Sequence, residues 1–315
     1  MYAAPMFSIL IGMSAIIFAG LLWRLVLGAK SAQTIRSHLV RAVYDIFLPA
    51  LVLHVMWASQ VNLNSIRIPL VSALAILLSL FAAYLIYAGG RWLPGNTAAQ
   101  RKAVGALLLA ASFGNFTYLG LPVLTQTFGP WAQSVAIYFD LFASTPLLFT
   151  IGILIASHFG SSTKRASIGI ELLRVPALWA ALCGVTASAM HLPMPGWLDG
   201  TLALLGAAVV PLMLLSIGMA LGWQAGWLGR IPVLLPMVAI QLLLMPLIVW
   251  AGCIGVGMPE KLVAPAVIEG AMPTMVLGLV ICDRFKLDAG LYAEAVTVTT
   301  ALSLLTLPLW LGFLS

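Results

Sequence analysis

Two carboxylates, Asp140 and Glu269, fall deep inside long apolar stretches, each roughly 12–13 Å from the nearer edge at 1.5 Å per helical residue. A bare charge at that depth costs at least about 2.5 kcal/mol on insertion scales, so each carboxyl must be neutralised by a proton, a cation or a neighbouring donor. That is the chemistry of a coupling ion, H+ or Na+. Glu269 is the stronger candidate because it lies four residues before Pro273, where carbonyls freed by a helix break would join it around Na+ or hold its proton. Asp140 has Ser144 one turn further on. The plainer reading of either acid is a carboxyl neutralised by a packing hydrogen bond.

Two interruptions supply a second kind of chemistry. Phe113-Gly114-Asn115-Phe116-Thr117-Tyr118-Leu119-Gly120-Leu121-Pro122 and Ala271-Met272-Pro273-Thr274-Met275 each cut an apolar stretch near its middle. A helix broken inside lipid exposes backbone groups that lipid cannot satisfy, so such a break survives where it lines a buried cavity or a binding site. Roughly 15 Å of helix separates Ala103 from Gly114, and roughly 18 Å separates Lys261 from Pro273. Both breaks therefore lie near the midplane of a hydrocarbon core about 30 Å thick. Past each break a restarting half-helix presents unpaired amides. Asn115 and Thr117 at one, and Thr274 at the other, add capping-type side chains to two positive dipole ends, an anion site that needs no buried Lys or Arg. Gly114, Asn115, Thr117, Tyr118, Met272, Pro273 and Thr274 are thus the expected substrate residues, with a small organic acid as ligand. The alternative is a pair of ordinary kinks with unrelated polar neighbours.

The elements that hold these residues follow from composition. Of 315 residues, 62% are hydrophobic and 8% charged, and the mean hydropathy is +1.10, which excludes a soluble domain and makes the chain an all-α polytopic membrane protein. Ten spans are expected, over 5–27, 39–57, 68–88, 103–124, 132–157, 168–190, 201–220, 231–256, 261–282 and 292–313. The short connections leave no room for a nucleotide-binding domain, and no Gly-rich phosphate loop is present. Mid-span Ser–His or paired-Asp motifs are also missing, which argues against an intramembrane enzyme. Cys183, Cys253 and Cys282 show no Cys-x-x-Cys spacing and are read as packing residues. No cofactor is expected beyond a coupling ion.

Basic residues set the orientation. With the N-terminus outside, thirteen Lys and Arg fall at inward ends (Lys30, Arg36, Arg41, Lys164, Arg165 and Lys286 among them), against Arg67 and Lys261 outside. Both termini are then outside a cell (inner) membrane. The first apolar segment carries its charges after it and reads as a retained span rather than a cleaved leader. Scattered through short loops, the basic residues behind the net charge of +6 give no support for a nucleic-acid partner.

Four landmarks recur at nearly one spacing: Pro49 and Pro211, Pro146 and Pro308, Arg67-Ile68-Pro69-Leu70 and Arg230-Ile231-Pro232-Val233, and the two breaks. The chain reads as a duplication, residues 1–160 and 161–315, and five spans per half make the repeat inverted. Pro49 and Pro211 mark expected bends in spans two and seven.

Asn115 followed by Gly120 and Pro122, together with Ala271-Met272-Pro273 and Leu307-Pro308, resembles the auxin efflux carrier family. The resemblance implies a fold like that of bile-acid/sodium symporters and sodium/proton antiporters. It further implies a scaffold of spans one, two, six and seven and a transport unit of spans three to five and eight to ten, with spans four and nine crossing at the substrate. Transport of small organic acids, from indole-3-acetate to malonate or malate, by elevator-type alternating access in a homodimer would follow. Here Gly114 stands where plant carriers usually have proline, and the central connection, 158–167, is short. A sodium-coupled uptake carrier and a non-transporting sensor remain alternatives. His54 is a further candidate for the cavity. Asp45, Glu171 and Glu294 are expected to pair with basic loops, and Trp23, Trp57, Trp92, Trp131 and Trp197 to anchor span ends.

Overall fold

A computed structural model describes residues 3–59, 62–88, 97–161, 173–220 and 227–314. Arg91, Trp92, Lys164, Arg165, Glu171 and most of the 158–167 connection lie outside the described residues. The helices are α1 (Ala3–Leu27), α2 (Lys30–Ala58), α3 (Asn64–Tyr87), α4 (Ala98–Ser112), α5 (Leu121–Phe128), α6 (Pro130–Phe159), α7 (Pro176–Ala189), α8 (Gly196–Ala220), α9 (Ile231–Gly255), α10 (Glu260–Gly270), α11 (Gly278–Phe285) and α12 (Ala289–Leu314). Six of them, α2, α3, α6, α8, α9 and α12, are long and apolar enough to cross a membrane. Among the described residues there is no strand.

Helix α2 begins well before the apolar stretch that marks it in sequence. Its first turns expose Lys30, Gln33, Thr34, Ser37, His38 and Arg41 and bury Ala32, the pattern of an amphipathic helix at an interface. Helix α4 starts on a reciprocal cap: the Gln100 amide donates to Thr97 Oγ1 at 3.3 Å, and the Thr97 amide donates to Gln100 Oε1 at 2.9 Å.

Several prolines shape their helices in one recurring way, whereas Pro69, Pro236 and Pro308 lie inside α-helix without it. Four of the five widened π-type turns among the described residues, Val43–Phe47, Phe116–Gly120, Asp140–Ser144 and Ile240–Leu244, each precede a proline two residues past their end: Pro49, Pro122, Pro146 and Pro246. In each, the residue before the proline donates to the carbonyl five back, as Thr145 does to Asp140 and Met245 does to Ile240. The wider turn moves the carbonyl away from a proline ring that would clash with it, at the cost of a carbonyl without a helical donor. In α9 the Trp310 indole fills such a gap by donating to the Leu242 carbonyl at 2.9 Å. Pro211 acts differently: α8 breaks at Ala208, between Gly196–Ala207 and Val209–Ala220.

Helix α1 packs on the second part of α8, and α2 packs on α7 and α8. Separately, α3 packs on α4 and α9, α9 on α10, and α4 on α6 and α12. Small residues permit the closest crossing: a side chain at Gly218 would strike the Ile17 carbonyl, and one at Gly20 the Leu215 carbonyl. Basic ends gather on one face, where Arg101 donates to the His158 carbonyl and Arg230 lies 3.7 Å from Glu294 and 3.9 Å from Asp288. Asp45 likewise pairs with Arg41 at 3.3 Å.

Candidate functional site

Past Ser112 and past Gly270 the helical ladders end, and the two exposed backbones satisfy each other. Gly114 and Thr274 form an antiparallel bridge, in which the Asn115 amide donates to the Pro273 carbonyl at 2.6 Å and the Met275 amide to the Phe113 carbonyl at 3.0 Å. The breaks therefore meet at one point in the fold. Three bonds tie it to neighbouring helices, two of them through side chains those helices supply: Thr274 Oγ1 donates to the Ala110 carbonyl at 2.8 Å, the Thr274 amide to Thr299 Oγ1 at 3.1 Å, and Gln241 Nε2 to the Met272 carbonyl at 2.8 Å.

Beside the bridge lies a cavity of about 60 Å³ lined by Gly114, Asn115, Thr117, Tyr118, Asp140 and Thr145, among others. Asn115 is buried, its carbonyl accepts the Leu119 and Gly120 amides at 3.1 and 3.0 Å, and its Nδ2 has no partner. That leaves an amide donor at the cavity wall. Asp140 accepts hydrogen bonds from Thr117 Oγ1 and, at 3.1 Å, from Thr145 Oγ1. Its carboxyl is thereby held by two hydroxyls, an arrangement that suits a group taking up a cation or a proton.

Glu269 sits differently. It is fully buried, neither carboxyl oxygen has a hydrogen-bond partner, and its carboxyl packs on the backbone of Gly120, where any side chain would collide with it. A Cβ at position 120 would oblige the Glu269 carboxyl to shift. Met272 and Thr274 are also fully buried and do not line the cavity. The second half-helix starts at Gly278, with no side-chain cap, rather than beside Thr274. Both polar groups of Thr274 bond to protein atoms, as above, because the chain needs the segment 271–277 to run past its counterpart before it can coil again.

Toward the basic face, a second cavity of about 330 Å³ runs between α2, α8 and α11. It shares Tyr44, Tyr118 and Leu277 with the crossing cavity. On the opposite face a cavity of about 600 Å³ is lined by His54, Asn64, Trp131, Tyr138 and Lys261. There His54 Nε2 lies 2.8 Å from Asp199 Oδ1, and Lys261 Nζ sits 4.3 Å from the Trp131 ring centre.

Gln241, Thr299, Thr145 and Arg36 take part in these arrangements without having stood out in the sequence. Gln241 carried a signal, a lone amide within an otherwise apolar run, whereas the others are visible only once separate helices are brought together.

The family described as "Membrane transport protein" matches residues 15–311. A transporter of Methanothermobacter thermautotrophicus, named as uncharacterized, is 29% identical over 288 residues and covers 90% of each chain. A similarly named transporter of Methanocaldococcus jannaschii is 28% identical over 266 residues, 80% of each chain.

Proposed function

We propose, from the premise that the chain belongs to the auxin efflux carrier family of membrane transport proteins, that it is a secondary carrier of small organic anions working by alternating access. The observation that carries this reading is the bridge between two broken helices with an unpartnered amide donor, Asn115 Nδ2, at an adjoining cavity. Broken segments at membrane depth suit a ligand that must be bound and then released to the other side.

In this reading Asn115, Thr117 and Tyr118 contact the carboxylate, while Met272, Pro273 and Thr274 hold the segment opposite them. Asp140, at the cavity wall, and Glu269, behind Gly120, are the two carboxyls that would carry the coupling proton or Na+. The packing of α1, α2, α7 and α8 with one another, and of α3 to α6 with α9 to α12, supports a scaffold and a moving unit within ten spans arranged as an inverted repeat. The gathering of basic ends supports a cytoplasmic basic face with both termini outside. Homodimerisation through the scaffold belongs to the same reading.

The test is counterflow of radiolabelled malonate and of radiolabelled phenylacetate in proteoliposomes, with imposed H+ or Na+ gradients. The proposal expects accumulation of at least one acid that Asn115→Ala abolishes and Asp140→Asn uncouples from the gradient. Saturable binding without counterflow would make the protein a sensor of this fold. Stimulation by Na+ alone would favour the sodium-coupled form.

A further inference from the structure

The cavity on the basic face has a feature that the crossing does not explain. Arg36, from the amphipathic start of α2, lines it together with Tyr118, and the guanidinium makes one long hydrogen bond, to Gln33 Oε1 at 3.4 Å. Among the described residues no carboxylate lies within ion-pair distance of Arg36, although Arg41, in the same wall, has Asp45. A guanidinium carries five donors in a planar fork that matches a carboxylate. Much of the remaining lining is apolar: Val40, Met213, Ile217, Val276 and Val280.

Resting on the carrier reading above, we propose that this cavity is a second binding site, distinct from the crossing, where Arg36 holds the carboxylate of a monoanion whose apolar body lies against α8 and α11. Tyr44, Tyr118 and Leu277, which face both cavities, form the partition the ligand passes to reach Asn115. Arg36 is the lining cation without a carboxylate partner among the described residues, Arg41 being paired with Asp45, and the apolar wall of Met213 and Ile217 favours a monoanion over an acid whose second charge would face it. About 330 Å³ accommodates an acid the size of phenylacetate.

Equilibrium binding of radiolabelled phenylacetate and malonate to the purified full chain in nanodiscs tests this. Arg36→Gln is expected to weaken phenylacetate binding by roughly tenfold or more, the scale of a lost charge-assisted bond, with Arg36→Lys recovering part of it. Arg67→Gln, a charge removal on the opposite face, should change it less than about twofold. Melting temperature and size-exclusion profile identify any variant that fails to fold, and Arg36→Lys then decides. Unchanged phenylacetate affinity in Arg36→Gln would overturn the second site while leaving the carrier reading intact. Malonate binding tighter than phenylacetate in the wild type would overturn the monoanion selection alone. Absence of binding by either acid would remove both readings. Nanodiscs of neutral phosphatidylcholine and of anionic phosphatidylglycerol should give equal affinities; complete loss in the anionic lipid would assign the guanidinium to a lipid headgroup instead.

Discussion

At the scale of single residues, the crossing separates groups that build it from groups that face its cavity, and substitution should tell them apart. Asn115→Ala removes a side chain whose Nδ2 bonds to nothing in the protein, so acid binding should fall while the melting temperature stays within a degree or two. Thr274→Ala breaks a buried bond to the Ala110 carbonyl and should destabilise the fold by about 1–3 kcal/mol, read as a lower melting midpoint. A reversed ranking would mean that the two roles are exchanged. Gly120 offers a sharper check. Gly120→Ala places a methyl group into the Glu269 carboxyl, so it should lower stability, and Glu269→Ala in the same chain should restore much of the loss. Simple addition of the two effects in a double-mutant cycle would show that the contact carries no energy.

At the scale of elements, the sequence made the interruptions legible because Gly114, Asn115 and Pro273 are poor continuations of a helix. It did not reveal that Thr274 would precede the next helix by four residues, since the length of a crossing segment depends on the segment it crosses. The widened turns were hidden for a related reason: a proline announces that its helix must adapt, while the choice between kink and widened turn is made by neighbours. Trp310 is such a neighbour. Trp310→Phe leaves the Leu242 carbonyl without its indole donor, and a loss of about 1–3 kcal/mol is expected. Equal melting curves for the two proteins would show that another donor takes its place. In the sequence Arg36 shows only as a contributor to charge asymmetry, because its cavity exists only after α2, α8 and α11 meet.

At the scale of the whole molecule, hydropathy and family place a multi-pass chain in a membrane, and the basic ends predict which way it sits. After replacement of Cys183, Cys253 and Cys282, single cysteines at Asn64 and Pro195 should react with an impermeant maleimide on intact cells. One at Lys286 should react only after permeabilisation. Labelling of Lys286 on intact cells would invert the topology and turn the Arg36 cavity toward the outside.

The bond pair joining Gly114 and Thr274 is made entirely of main-chain atoms. Every amino acid except proline carries the same amide and carbonyl, so these two bonds ask for no particular side chain at positions 115, 117 and 118, the bracing side chains being those of Gln241, Thr274 and Thr299. Lineages can therefore rewrite what hangs from positions 115, 117 and 118 and change the cargo without renegotiating how the halves are joined. A designer has the same freedom: a library at those three positions, proline omitted, should yield mostly folded proteins that differ in what they bind.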